Sequence, residues 1–379
     1  MVGFTSTPAV VFSLSNSNIR GYTMDPDKSN NIILSITLLQ NGLLTEQPLC
    51  NYLGDKVVCR NNVNVGQGNA SSNYHEAIIL KSTNADDARV GQFTVYANKN
   101  NRSATATIIV HHAMADVIPI VRTKTVSIGD GNVTLGVLCE ATGCTGTGAL
   151  RWEKDGIRMD NWNKESEILF ENISSADDGI YECYKQNEQN ERIKHAFMQL
   201  IVRECPHNKW SPPDCTKDCE VCYNGGVCDT YIGTCICPSG FYGRRCEKSA
   251  GDNRFGRDGR IPCSSENGGS CIGNLICPPL PQGCACHAGW KGLDCRTECA
   301  GYMYGADCLQ DCHCDASECD RSRGCNVNAT CHPGYVGERC LVKNITENSS
   351  HTTSGASTTN DAEYRNGLEL QIMAYFILR

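Results

Sequence analysis

No stretch of this 379-residue chain approaches the roughly 20 consecutive apolar residues that cross a bilayer; its longest apolar run, Ile372 to Leu378, is far too short. The opening MVGFTSTPAVVFSLSNSNIR has a short apolar stretch but no basic n-region, so it makes a poor secretory signal. Basic residues are outnumbered, 34 Lys and Arg against 42 Asp and Glu, and they form no stripe. That balance argues against nucleic acid or an anionic membrane surface as partner. The nine histidines stand in no Ser/His/Asp or zinc-protease arrangement, so no catalytic residue is expected and the chain reads as a non-enzyme. His111-His112, at a strand end, is expected to be solvated, with metal binding the lesser alternative. Gly143-Cys144-Thr145-Gly146-Thr147-Gly148 lacks the Lys-Ser/Thr and helix of a phosphate loop and reads as a turn. No cofactor is expected.

Cysteine is sparse in the first half and dense afterwards: residues 205 to 340 hold 22 of the 27. Such density in short loop-rich units is a disulfide framework of an oxidising compartment. Zinc is the competing reading, with Cys219-x-x-Cys222 and Cys235-x-Cys237 as four thiolates, but a zinc site needs neither the extra thiols nor the glycines and aromatics that follow. Seven Asn-x-Ser/Thr sequons agree with secretion, at Asn69, Asn101, Asn132, Asn172, Asn328, Asn344 and Asn348. The expected location is extracellular or at the cell surface. With neither address nor anchor in view, the sequence reads as a truncated form of a longer protein.

Residues 1–112 carry β-branched runs at 32–39, 77–80, 91–97 and 105–110, separated by Asn/Gly/Asp/Ser turns, and are expected to form a degenerate immunoglobulin-like β-sandwich. Cys50 and Cys59 are too close in sequence to bridge two sheets, and Phe93 and Val95 stand where Tyr and Cys are usual in the sixth strand. Residues 117–203 read more plainly. Cys139, Trp152 and Asp177-Asp178-Gly179-Ile180-Tyr181-Glu182-Cys183 resemble an immunoglobulin domain, which implies a Cys139–Cys183 bridge between sheets, Trp152 packed on it and the Tyr181 hydroxyl bonded to backbone. Cys144 is then left over.

From Cys205 a unit recurs. Cys-x-x-Gly-aromatic-x-Gly-x-x-Cys is written three times, ending in Cys246, Cys295 and Cys340, and resembles the C-terminal hairpin of EGF-like modules. The glycines permit positive φ, and the aromatic covers a core too small to exclude water alone. The expected fold class is therefore all-β and multidomain: immunoglobulin-like sandwiches, then EGF-like modules over 205–246, 263–295 and 299–340, then a Ser/Thr/Asn-rich stalk and tail over 341–379. The EGF likeness implies one-to-three, two-to-four and five-to-six pairing. That gives Cys219–Cys228, Cys222–Cys235 and Cys237–Cys246; Cys263–Cys277, Cys271–Cys284 and Cys286–Cys295; and Cys312–Cys319, Cys314–Cys325 and Cys331–Cys340. Extra pairs Cys205–Cys215 and Cys299–Cys308 precede the first and third modules, and Ser249 to Arg260 replaces that pair in the second. No module has the acidic lead-in of calcium-binding members, so no metal is expected.

LIVREC running directly into CPHNKWSPPDCTKDCEVCYNGGVC, then CPPLPQGCACHAGWKGLDC, then CAGYMYGADCLQDCHC, closely resembles the ectodomain of Tie-type receptor tyrosine kinases over roughly 117–340. Residues 1–112 would take the place of the first immunoglobulin domain. The resemblance implies a ligand-binding head that recognises an angiopoietin-like protein, bearing a fibrinogen-type domain, through residues 117–203, with receptor homo-oligomers possible in the family. The kinase and membrane span of that family are absent from this chain. A matrix or adhesion protein is the alternative, because other EGF-repeat proteins share the parts and fold does not fix function.

Overall fold

The computed structural model describes the side chains of residues 90–94, 106–139, 144, 150–263 and 269–344, and as backbone alone the strands between residues 2 and 81 and those within 95–105. The chain is all-β, with short 3-10 turns among the described residues. Strands Ile33–Gln40, His75–Lys81, Gly91–Lys99 and Arg102–His112 lie where the β-branched runs place them. They belong to two sheets. One orders Asn64–Gly66, His75–Lys81, Asn18–Thr23 and Val2–Thr7; the other orders Lys56–Cys59, Cys50–Leu53, Ile33–Gln40, Gly91–Lys99, Arg102–His112 and Val10–Val11. Cys50 and Cys59 face one another on adjacent strands of the second sheet, so they do not join the two sheets.

The next sandwich has a three-stranded sheet of Val117–Pro119, Val133–Cys139 and Glu167–Phe170 against a five-stranded sheet of Thr123–Ser127, Ala196–Arg203, Gly179–Lys185, Leu150–Lys154 and Ile157–Arg158. Alternation builds its core: Val133, Leu135 and Val137 point inward, and their neighbours point out. Trp152 and Tyr181 are fully buried, Trp152 Nε1 donates to Glu165 O, and the Tyr181 hydroxyl donates to Asp177 O at 2.7 Å. Gly179, at φ 149, carries the turn into its strand, where a Cβ would strike the Asp155 carboxylate that receives the Ile180 N–H.

The inter-sheet bridge is corrected by the structure. Cys139 bonds Cys144, five positions on, and Cys183 is a free, fully buried thiol. Cys144 lies just beyond the end of the Cys139 strand, with the two Cα atoms 6.1 Å apart, within the span of a disulfide. Around Cys183 the core closes with Trp152, Leu135 and Val137. Burial pushes its thiol up, so it stays protonated and unreactive.

The EGF-like half is built from two-residue hairpins stapled by disulfides, because units this small bury too little apolar surface to stand alone. The first module carries Cys205–Cys215, Cys219–Cys228, Cys222–Cys235 and Cys237–Cys246; the third carries Cys299–Cys308, Cys312–Cys319, Cys314–Cys325 and Cys331–Cys340. In the middle module only Cys286–Cys295 follows the expected order. Its other bridges are Cys263–Cys271 and Cys277–Cys284, in place of Cys263–Cys277 and Cys271–Cys284. Tertiary pairing explains the change. Strand Leu275–Cys277 lies between Ala285–Cys286 and Val2–Thr7, extending the first sandwich's sheet, so Cys277 turns back to Cys284 and Cys263 closes with Cys271. From residue 345 on, the expected stalk and tail lie outside the described residues, as does most of the glycine-rich turn at 143–148.

Candidate functional site

Two arginines at the ends of the Thr123–Ser127 and Ala196–Arg203 region fasten the second sandwich to the EGF-like modules. Arg203, 5% exposed, donates through Nε to Cys228 O at 2.9 Å, through Nη1 to Ser127 Oγ at 2.9 Å and through Nη2 to Lys209 O at 2.8 Å. It therefore ties the last strand of the sandwich to the first module. Arg122, 4% exposed, donates to Gly292 O and Leu293 O of the middle module. Beside it, Thr125 Oγ1 donates to Pro281 O and Cys284 N–H donates to Thr123 Oγ1 at 3.0 Å. Gly283, at φ 70, allows this approach, since a Cβ there would lie 2.2 Å from Thr123 Cγ2.

The three modules also close on each other. Cys286 N–H donates to Asp307 Oδ1 at 2.9 Å, Gly289 N–H donates to Gly305 O, and the buried Tyr304 hydroxyl donates to Asn224 Oδ1 at 2.8 Å. Phe241, Ala288 and Tyr304, one from each module, share a single apolar cluster. Replacing Tyr304 with Phe leaves the buried Asn224 carbonyl oxygen without this donor and is expected to cost about 1 kcal/mol of unfolding free energy, measurable by urea titration.

Electrostatics differ between the two joints. Burial raises the Asp307 carboxyl to about 6, against the opposing pull of Arg122 and the Cys286 N–H. A raised carboxylate pKa means that the folded state holds the proton more tightly, so this group favours folding as pH falls from about 6 toward 4. His111, by contrast, is held well below its ordinary value by burial and by the positive charge of Arg122. It is fully buried between the two sandwiches, where Nε2 accepts the Phe197 N–H at 3.0 Å, which corrects the solvated pair expected of His111-His112. The cause is docking: Val90, Ile109, Ile180 and Phe197 form a cluster around this boundary. A lowered histidine pKa gives stability that is lost as pH falls below about 6.5. Between pH 7 and pH 5 the Phe197 amide is therefore expected to keep its protection, because His111 stays neutral in the folded state, while Asp307 takes up a proton beside the Cys286 amide; hydrogen exchange corrected for its intrinsic pH dependence checks the first and the carboxyl carbon chemical shift the second.

Of the seven sequons, Asn132, Asn172 and Asn328 are exposed and Asn344 is partly exposed; Asn69, Asn101 and Asn348 lie outside the described residues. Cys219, Cys222, Cys235 and Cys237, the four thiols of the zinc reading, are all in disulfides. So are Cys312, Cys314 and Cys325, whose sulfurs lie close together. Arg122, Arg203 and Asp307 were not foreseen, because an isolated charge in a sequence carries no sign of the surface it will meet.

The EGF-like domain family matches residues 215–246. Over 177 residues, 47% of this chain, the sequence is 39% identical to the angiopoietin-1 receptor of Danio rerio. The immunoglobulin-like and EGF-like modules here resemble the matched part of that receptor. This chain spans only 14% of that receptor's length. It is also 32% identical over 139 residues to the EGF-like and EMI domain-containing protein 1 of Mus musculus, covering 34% of this chain and 23% of that one. Among solved structures, the four N-terminal immunoglobulin domains of Dscam1 isoform 1.9 align over 53% of this chain and 46% of theirs, at 15% identity and a TM-score of 0.19. The matched region is similar to extracellular, receptor-type modules, and no catalytic domain is evident among the described residues. No helix there is long and apolar enough to cross a membrane.

Proposed function

We propose that this chain is the ligand-binding head of a Tie-like receptor and that residues 117–203 recognise an angiopoietin-like protein through its fibrinogen-type domain. The observation that carries the reading is the order of modules together with the 39% identity to an angiopoietin-1 receptor. The geometry supports it. Arg122 and Arg203 clamp one side of the second sandwich to the EGF-like modules. On its other side the edge hairpin of Leu150–Lys154 and Ile157–Arg158 carries an Ile157 that is 69% exposed. A rigid base with a free face suits recognition of another protein, because little ordering cost is left for binding. Receptor homo-oligomers belong to the same proposal.

An adhesion or matrix role is the second reading, favoured by the EGF-repeat relative. The two part in one experiment. Immobilised chain should bind a purified fibrinogen-type domain saturably, and a chain that instead supports cell attachment with no such binding would overturn the receptor reading.

A further inference from the structure

A gap remains where the first EGF-like module meets the middle one. It is a cavity of about 220 Å³ between residues 234–244 of the first module and residues 256, 257, 276 and 278, and every residue lining it is described. Its inner wall is apolar: Ile236 and Phe241 come from one module and Ile276 and Pro278 from the other, all of them buried. The wall is also fixed. Cys222–Cys235 and Cys237–Cys246 staple the strands that carry it, and Gly240, at φ 93, lets its turn press against the middle module, since a Cβ there would lie 2.4 Å from Ala288 Cβ.

Two polar features break the apolar lining. Ser239 is 2% exposed, and its hydroxyl has no hydrogen-bond partner among the described residues. Buried hydroxyls are normally paired. At the mouth, Arg257 is exposed and makes no ion pair among the described residues. Its neighbours do not offset its charge: Asp258 is paired with Arg260, and Arg244, the other arginine of the rim, is paired with Glu220.

We infer that this cavity receives a tyrosine side chain from an acidic segment of a protein partner. Its volume falls below the roughly 300–1,000 Å³ of pockets for drug-sized ligands, so it takes one large side chain rather than a whole small molecule. A phenol brings an apolar ring to the wall and a hydroxyl that both donates and accepts, which gives Ser239 the partner that the fold does not. Leucine or phenylalanine in the same place would leave the Ser239 hydroxyl buried and unpaired. An Asp or Glu next to the tyrosine meets Arg257, whereas a basic neighbour is repelled. Because the wall is held by disulfides, little ordering cost is left for binding. The cavity lies outside residues 117–203, so the inference is independent of the ligand proposed above.

The test uses the full chain and a fluorescently labelled peptide, Asp-Glu-Tyr-Asp-Glu, with its counterpart in which Phe replaces Tyr, both read by anisotropy. The tyrosine peptide should bind saturably and about fivefold tighter than the phenylalanine peptide, which is what one hydrogen bond contributes. Ser239→Ala should bring the two peptides to equal affinity, and this ratio, taken on a single protein, holds even if part of the variant is misfolded. Arg257→Glu, at an exposed position, should weaken both peptides about tenfold. The same charge reversal at the exposed Arg323 of the third module should leave them unchanged. No saturable binding, equal affinity of the two peptides for the parent chain, a tyrosine preference that survives Ser239→Ala, or an equal loss with Arg323→Glu overturns the inference.

Discussion

Replacing Arg122 with Ala should lower the unfolding free energy of the assembled head by about 1–3 kcal/mol for each of the two part-buried carbonyls it leaves without a donor. The guanidinium is 4% exposed, and it supplies the Gly292 and Leu293 carbonyls with donors. Asp307 also loses the positive charge that opposes the rise in its pKa, so its carboxyl should take up a proton at still higher pH. Chemical denaturation would show the loss, with the amides of residues 123–127 and 284–293 exchanging first. Arg122→Lys should recover only part of it, since an ammonium group cannot reproduce the planar fork that reaches two carbonyls. A stability within 1 kcal/mol of the parent would mean that the joint is carried elsewhere.

Full reduction should have an equally large but regional effect. Residues 205–340 are held by eleven bridges, each worth about 2–4 kcal/mol, in modules too small to fold on their apolar cores. Dithiothreitol is expected to abolish amide protection across that region. The second sandwich should keep its protection, because its one bridge closes only a short loop and its core of Trp152, Leu135, Leu150 and Tyr181 packs around a Cys183 that is already a free thiol. Mass-resolved hydrogen exchange with and without reductant reads both outcomes at once. Simultaneous collapse of 117–203 would show that the sandwich depends on its EGF-like base.

The parts that local sequence determines were legible in it. A tripled Cys-x-x-Gly-aromatic-x-Gly-x-x-Cys leaves little choice of local conformation, and the Trp152 and Tyr181 positions follow from the packing of any such sandwich. The failures share a different cause. Pairing in the middle module turns on a strand contributed from residues 2–7, and His111 is buried by Phe197 from the neighbouring sandwich. Arg122 and Asp307 acquire their roles only when the modules meet. The Cys139–Cys144 bond shows that an immunoglobulin-like motif can keep its tryptophan and tyrosine while its cysteines pair otherwise.

The assignment of recognition to the second sandwich meets its most direct test in a hydrogen-exchange footprint of the chain bound to a purified fibrinogen-type domain. Slowed exchange confined to residues 117–203, with the EGF-like modules unchanged, is the predicted result. Protection confined to 205–340, or no protection at saturating concentration, would contradict it.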